Sequence, residues 1–513
     1  MNHSIIIYIL GYILRIEGAL LMLPVVIDLI HGEGVWPVYL ICGAATFLIG
    51  MLLTLRKPKS NVFYLKEGCV STALSWIALS IFGGLPFILT GEIPNFINAT
   101  FEVVSGLTTT GASILTDIES LSHASIFWRS FTHWIGGMGV LVFLMAILPM
   151  TGGSSIHLMR AESPGPDVGK LAPHMRETAR ILYFIYMGLT ASMIILLLCT
   201  KMPIFDAFTM AFGTAGTGGF AVRNSGLADY TIVQQNIITV FMILFGVNFN
   251  AFYYILYRKF KKAWQMEEVR AYLLIIFGAI AMITINILNM CSGFWDALQK
   301  AAFQVGSIIT TTGFSNTDFD QWPAFSKNIL VILMFCGACA GSTGGGFKVS
   351  RVIMLIKSVG KEITTYIHPK TIRKIKFDGS PLPQETVRST AAYFLAYIAL
   401  FILSVFLVSL DGHDFETNFT GVAATFNNIG PGLGGVGPTR NFDFFSPFSK
   451  IVMIFDMLAG RLELFPMLIL LYPKIWIEDI THHHHHAHNH NNYHHHHKQH
   501  RIDPPAKSKK NKG

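Results

Sequence analysis

Four stretches of the chain share one pattern of residue types: Asn98 to Gly111 (NATFEVVSGLTTTG), Asp206 to Gly219 (DAFTMAFGTAGTGG), Lys300 to Gly313 (KAAFQVGSIITTTG) and Thr417 to Gly430 (TNFTGVAATFNNIG). Each ends in a glycine thirteen residues after its start, and the residues that follow turn small or polar (Ala112-Ser113, Phe220-Ala221, Phe314-Ser315, Pro431-Gly432). The pattern reads as a short helix that breaks into extended backbone. One chemistry asks for it: a monovalent cation gives up its water only where a ring of backbone carbonyls replaces the lost oxygens. Glycine supplies the φ/ψ values that aim successive carbonyls at an axis. The candidate ion ligands are therefore Thr109, Thr110 and Gly111; Thr217, Gly218 and Gly219; Thr311, Thr312 and Gly313; and Asn428, Ile429 and Gly430. Thr108 and Thr310 lengthen the hydroxyl-bearing runs. A helix running into the membrane also presents a C-terminal end worth about half a negative charge, so four such ends favour cations over anions. A lone TTTG would say little, because Gly and Thr also serve helix packing in membranes. Four copies at similar places say more.

Such turns need a membrane scaffold, and the composition supplies one. The chain has 513 residues, 52% of them hydrophobic and only 13% charged, far more apolar content than a soluble core needs. Apolar stretches of spanning length lie at 5–31, 37–55, 68–90, 125–150, 180–200, 232–257, 270–291, 327–356, 388–410 and 447–473. Loops after every second one carry Arg56, Lys57 and Lys59; Arg160, Lys170, Arg176 and Arg180; Arg258, Lys259, Lys261 and Lys262; and Lys357, Lys361, Lys370, Arg373, Lys374 and Lys376. By the positive-inside rule these loops and both termini are cytoplasmic. The alternate loops hold the four glycine-ended stretches, whose apolar runs are too short to cross and read as re-entrant.

Most of the formal charge of +8 sits in the C-terminal tail, so the membrane body is nearly neutral and no nucleic-acid partner is expected. The first apolar stretch continues from Ile5 to Ile30 with no small-residue cleavage site after it, which predicts a retained helix rather than a signal peptide. Six cysteines imply no disulfide framework, and Cys336 and Cys339 lack the second pair a zinc site needs. From His482 to His500 twelve residues are histidine; this tail reads as disordered and is given no part in transport.

The eighth apolar stretch is interrupted at 337–346 by GACAGSTGGG. At about 1 kcal/mol per interior glycine it cannot stay helical, and unwound backbone at membrane depth survives only against protein or a watery cavity. Its place is predicted beneath the carbonyl ring. Arg461 lies in the last apolar stretch, where an arginine costs at least about 2.5–3.5 kcal/mol. Such a charge is seldom idle; the plain alternative is neutralisation by Glu463, although residues two apart on a helix point in different directions. Arg15 and Glu17 read as snorkelling residues or a structural pair, and His123 and His133 as interfacial residues.

The motifs TTTGAS (108–113), TGGFAV (217–222), TTTGFSNTD (310–318), NNIGPGLGGVGP (427–438) and AGRLELFP (459–466) resemble those of Trk-type potassium uptake proteins in the Trk/Ktr/HKT superfamily, over residues 1 to about 475. The resemblance implies an all-α membrane fold with four pseudo-fourfold helix–pore-helix–helix repeats of potassium-channel type plus two N-terminal transmembrane helices. The implied divisions are 1–60 for the two extra helices, 61–155, 156–262, 263–377 and 378–480 for the repeats, and 481–513 for the tail. It puts the filter glycines at Gly111, Gly219, Gly313 and Gly430. Gly216, Gly218 and Gly219 crowd the second stretch, which leaves its register open. In plant relatives a serine at the first position goes with sodium; Gly111 favours potassium, and with it rubidium.

The resemblance further implies a homodimer in the cell membrane (the bacterial inner membrane) with one pore per subunit. The 337–346 loop becomes a gate, with Gly341, Gly344, Gly345, Gly346, Lys348 and Arg461 as gating residues. A separate cytosolic nucleotide-binding regulatory subunit would dock on the basic loops at 157–180 and 357–376. The chain itself has no Walker loop, so no nucleotide site is expected in it, and no HExxH pair or catalytic dyad that would make it an intramembrane enzyme. Transporters of other folds show inverted repeats, whereas these four share one orientation. The alternative retained is a sodium- or proton-coupled monovalent cation symporter.

Overall fold

The computed structural model describes residues 1–58, 64–139, 175–370 and 373–476. The His-rich tail, Lys59, Arg160, Lys170 and the second half of the 125–150 stretch lie outside the described residues. In chain order the first helices are α1 (His3–Leu20), α2 (Met22–His31), α3 (Trp36–Thr54), α4 (Leu65–Leu89), α5 (Phe96–Leu107), α6 (His123–Met138), α7 (Met175–Cys199), α8 (Ile204–Ala215), α9 (Ile232–Phe245) and α10 (Phe249–Leu256). They are followed by α11 (Phe260–Gln265), α12 (Glu267–Ile287), α13 (Phe294–Ile309), α14 (Ala324–Cys336), α15 (Val349–Ile367), α16 (Gln384–Val408), α17 (Phe415–Phe426), α18 (Pro447–Arg461) and α19 (Phe465–Leu470). A small antiparallel hairpin pairs β1 (Lys376–Phe377) with β2 (Ser380–Pro381).

Two kinds of helix serve different ends. Among the described residues five are long and apolar enough to cross hydrocarbon, at Trp36–Thr54, Leu65–Leu89, Ala179–Cys199, Glu267–Met290 and Gln384–Asp411. Their outward faces keep apolar side chains uncovered, with Leu274 75% and Ile285 76% exposed, as a surface wetted by lipid requires. The second kind is short: α5, α8 and α17 have twelve residues and α13 sixteen, about 18–24 Å of rise against about 30 Å of hydrocarbon.

Local chemistry sets where the short helices start. Asn95 accepts hydrogen bonds from the N–H groups of Ile97 (2.9 Å) and Asn98 (3.2 Å) at the head of α5, the usual N-cap contribution of about 1 kcal/mol. Asp414 caps α17, accepting from the Thr417 hydroxyl at 2.6 Å and the Thr417 N–H at 3.3 Å. The Thr417 hydroxyl holds the Asp414 carboxyl below the usual carboxylate range.

Three stretches that read as continuous spans in the sequence are broken in the structure. The 5–31 stretch divides at Leu21, because Pro24 has no N–H to offer the turn before it. The 232–257 stretch turns by 93° between α9 and α10, where Asn248 starts a new helix by accepting from the Asn250 N–H at 2.9 Å. The 447–473 stretch stops at Arg461, and Glu463 (φ 62°) and Leu464 (φ 63°) both adopt left-handed backbone before α19 begins. Two such non-glycine residues in succession are strained. The loop that interrupts the eighth apolar stretch spans the residues between α14 and α15.

Candidate functional site

The segments that follow α5, α8, α13 and α17 have the same backbone conformation. After the helix comes one capping residue, then a non-glycine residue with positive φ: Thr109 (55°), Thr217 (54°), Thr311 (60°) and Asn428 (57°). Two residues later stands a glycine with positive φ: Gly111 (80°), Gly219 (84°), Gly313 (86°) and Gly430 (104°). The residue between them has negative φ in every case. The second stretch thus takes the register Thr217-Gly218-Gly219, with Gly216 as the helix cap.

The amides of these segments point back into their own helices. Thr110, Gly218, Thr312 and Ile429 donate to the carbonyls of Ser105, Gly213, Ser307 and Ala424 at 2.8, 2.8, 2.9 and 2.8 Å. Thr109, Thr217, Thr311 and Asn428 donate to Gly106, Thr214, Ile308 and Thr425 at 3.1, 3.0, 3.0 and 3.3 Å. Their own carbonyls face elsewhere. Among the described residues no donor is bonded to the carbonyl oxygens of Thr109, Thr110, Gly218, Thr312 or Ile429, although all five residues are buried. A buried carbonyl normally finds a partner, so a cluster of orphans marks a place where something else supplies positive charge.

The four segments close into a ring. A Cβ on Gly111 would collide with the Gly218 carbonyl, one on Gly219 with Thr312, one on Gly313 with Ile429, and one on Gly430 would come 2.8 Å from the Thr110 carbonyl. Each glycine touches the next segment in chain order and the fourth returns to the first. A single cavity of about 240 Å³ is lined by all four glycines, together with Arg223, Arg440 and Asn441.

The interrupted loop lies against this ring. The Gly345 N–H donates to the Thr311 hydroxyl at 2.6 Å, and the Thr217 hydroxyl donates to the Thr343 carbonyl at 3.0 Å. A Cβ at Gly344 would stand 3.0 Å from the Thr310 carbonyl, and one at Gly345 2.8 Å from that of Asn427. Gly341 sits apart, at the α9–α10 corner, where its carbonyl accepts from Phe249 N–H at 3.0 Å. On the far side Glu268 accepts from the N–H groups of Ala340 (2.6 Å) and Ser350 (3.1 Å). Lys348 is buried and donates to the Gly344 carbonyl.

Arg461 is 5% exposed and gathers three carbonyls: Thr343 at 2.8 Å, Gly136 at 2.6 Å and Gly137 at 2.7 Å. It therefore bridges the interrupted loop to the end of α6. Glu463 is taken by Arg351, whose guanidinium also stacks 3.8 Å from the Tyr393 ring, so the reading of Glu463 as the neutraliser of Arg461 gives way. The intervening left-handed turn aims the two side chains at different targets. Arg15 and Glu17 are likewise not a pair with each other: Arg15 reaches the Thr54 hydroxyl at 3.5 Å and Glu17 is buried beside Gly83.

Three residues behind the ring escape the sequence reading. His123 does lie at the surface, 2.6 Å from Glu33, but His133 is fully buried and bonded to backbone at both ring nitrogens. Glu102 and Arg129, 0% and 1% exposed at their side chains, form an ion pair at 2.8 Å. Glu102 also accepts from the Ser113 hydroxyl at 2.8 Å and the Ile114 N–H at 3.0 Å, which ties the chain after Gly111 to α5. The available signal was the occurrence of ionisable residues within apolar stretches, and the four-residue spacing of Arg129 and His133 that puts them on one helix face. Removing one partner of such a buried pair costs about 3–5 kcal/mol. Glu102→Ala is expected to lower the midpoint of thermal unfolding in detergent by about 5 °C or more, and an unchanged midpoint would show the pair to be dispensable.

Near the chain's basic loops, a second cavity of about 760 Å³ is lined by Lys357, Lys361, Arg373, Lys374 and Lys376.

Residues 37–477 match the family model TrkH, described as "Cation transport protein". The chain is 35% identical to the "Trk system potassium uptake protein TrkH" of Escherichia coli K12, with 93% of this chain and 100% of that protein covered. It is 30% identical to "Trk system potassium uptake protein TrkG" of the same organism over the same shares. In three dimensions it is similar to the crystal structure of the potassium transporter TrkH from Vibrio parahaemolyticus, with a TM-score of 0.83, 32% identity, and 93% and 100% of the two chains covered.

Proposed function

The chain belongs to the TrkH family of cation transport proteins, and from that premise we propose that its ring of orphaned carbonyls is the selectivity filter of a potassium uptake pathway. The protein is a membrane transporter of potassium and not an enzyme. The observation that carries the filter reading is the set of buried carbonyls on Thr109, Thr110, Gly218, Thr312 and Ile429 that no donor among the described residues satisfies. A dehydrated potassium or rubidium ion is the partner such oxygens suit.

The four helix–pore-helix–helix units and the two added N-terminal helices organise this pathway. The 337–346 loop, held by Lys348 and Arg461 against the filter's lower side, is its gate. Support for the gate comes from the hydrogen bonds that Thr311 and Thr217 make to Gly345 and Thr343, which leave no separate wall between loop and filter. Uptake is driven by the membrane potential, about 2.3 kcal/mol per charge per 100 mV. The protein is a homodimer in the bacterial inner membrane with both termini in the cytoplasm. A cytosolic nucleotide-binding regulatory subunit docks on its basic loops, a reading supported by the lysine- and arginine-lined cavity at 357–376.

Rubidium-86 uptake should appear when the protein is expressed in cells lacking their own potassium uptake; uptake at the level of empty-vector cells would overturn the reading. In Gly111→Ser the added Cβ meets the Gly218 carbonyl at a positive φ, which forces two filter segments apart. The rubidium-to-sodium uptake ratio is then expected to fall about tenfold, equivalent to about 1.4 kcal/mol of discrimination. An unaltered ratio would remove Gly111 from the filter.

A further inference from the structure

α6 carries Arg129 and His133 four residues apart, on one face, and that face is turned to the seam between the first and second ring segments. His133 uses both ring nitrogens. Nδ1 lies 2.7 Å from the Gly106 carbonyl, which can only accept, and Nε2 lies 3.1 Å from the Phe220 N–H, which can only donate. This pairing requires a neutral imidazole with its proton on Nδ1. Gly106 stands in the last turn of α5, just before the first segment, and Phe220 follows Gly219 directly. A Cβ on Gly218 would come 2.1 Å from Cγ and Nδ1 of the imidazole, so the ring fills the space behind the second segment. The Phe220 ring in turn packs 4.3 Å from the His133 ring and 4.1 Å from the Arg129 guanidinium.

Farther from the ring this seam is also tied by the Ile118 N–H donating to Asn224 at 2.8 Å, and the other seams carry bonds that do not involve a histidine. Between the second and third segments the Leu227 N–H donates to the Ser315 carbonyl at 3.0 Å. Between the third and fourth the Gly434 N–H donates to Asp320 at 3.0 Å. Between the fourth and first the Phe442 N–H donates to the Ser113 carbonyl at 2.9 Å, and the Asn428 amide to the Thr110 hydroxyl at 3.0 Å. Among the described residues, His133 is the side chain that bonds the backbone amide immediately after a ring glycine.

Resting on the filter reading above, we propose that His133 is a positioning residue that sets ion selectivity by fixing the second filter segment relative to the end of the first pore helix. Potassium, rubidium and sodium differ by a few tenths of an ångström in radius, and a carbonyl ring distinguishes them by how firmly its oxygens are held at one spacing and in one number. The Phe220 tether holds the peptide unit that carries the Gly219 carbonyl. Losing it frees one quarter of the ring to follow the smaller ion.

Two substitutions separate the two bonds. Asparagine places its amide nitrogen near the Nδ1 position, so His133→Asn keeps the bond to Gly106 and drops the one to Phe220. Glutamine places its amide oxygen near the Nε2 position, so His133→Gln keeps Phe220 and drops Gly106. Rubidium-86 and sodium-22 uptake are measured in transport-deficient cells and normalised to membrane-inserted protein. His133→Asn is expected to lower the rubidium-to-sodium ratio about tenfold, while His133→Gln stays within about threefold of the parent. Ratios equal to the parent in both variants, or a greater loss in His133→Gln than in His133→Asn, would overturn the proposal. Should His133→Asn fail to accumulate, His133→Leu fills the space but drops both bonds and is expected to lower the ratio about tenfold; an unshifted ratio there counts against it equally. Gly313→Asp run alongside tests the filter reading separately, because parent-level uptake in that variant defeats the filter whatever His133 does.

Discussion

Gly313→Asp is expected to reduce rubidium uptake to background, about a hundredfold below the parent or more, equivalent to at least about 2.7 kcal/mol. Two features of the position require it. Its φ of 86° is one that an L side chain rarely adopts, and an added Cβ collides with the Ile429 carbonyl and stands 3.0 Å from Pro431 Cδ. The third and fourth segments must then separate, and a carboxylate enters a ring shaped for neutral oxygens. Gly313→Ala isolates the steric part and is expected to lose most of the uptake without the charge. The measurement is initial-rate rubidium-86 uptake per inserted protein. Equal uptake by Gly313→Asp and the parent would place the ion path elsewhere in the molecule.

Removing Arg461 is expected to act in the opposite direction. Its guanidinium ties the Thr343 carbonyl of the interrupted loop to the carbonyls of Gly136 and Gly137. Hydrogen bonds from a charged donor contribute about 1.5–3 kcal/mol each, and their loss releases the loop from α6 while also taking a positive charge away from an approaching cation. Arg461→Ala should raise rubidium uptake per inserted protein about tenfold in transport-deficient cells, a shift within the usual range of coupling energies. Arg461→Lys should fall between, because an ammonium cannot reproduce the planar fork that spans three acceptors. Flux unchanged in Arg461→Ala would reduce the residue to a structural tie.

What could be read in the sequence was local, and what could not be read was mostly a matter of partners. The terminal glycines at 111, 219, 313 and 430 are legible because glycine accepts positive φ by itself. The positive φ of Thr109, Thr217 and Thr311 is not, since a β-branched residue disfavours it, and the register of the second stretch stays open until its helix cap is placed at Gly216. The break between α14 and α15 is legible for the same reason, since GACAGSTGGG cannot pay for a helix. The bend at 246–248 is hidden because a membrane stretch is apolar on every side, which erases the periodicity by which a soluble helix betrays its turning points. Glu463 and Leu464 carry no turn chemistry of their own, so their left-handed backbone could not be read from residue type. His133 looked interfacial because one histidine in an aromatic run has no sequence partner, and its two acceptor and donor groups, Gly106 and Phe220, come from distant parts of the chain.

The ring's four sectors are written once each in a single gene rather than once for a self-assembling set of four. A codon change therefore alters one sector and spares three, where the same change in a fourfold-symmetric assembly would strike every sector together. Inheritance can adjust such an orifice by quarters, and the differing residues at its four corners, threonine, glycine, threonine and isoleucine before the terminal glycines, are the kind of divergence that permits.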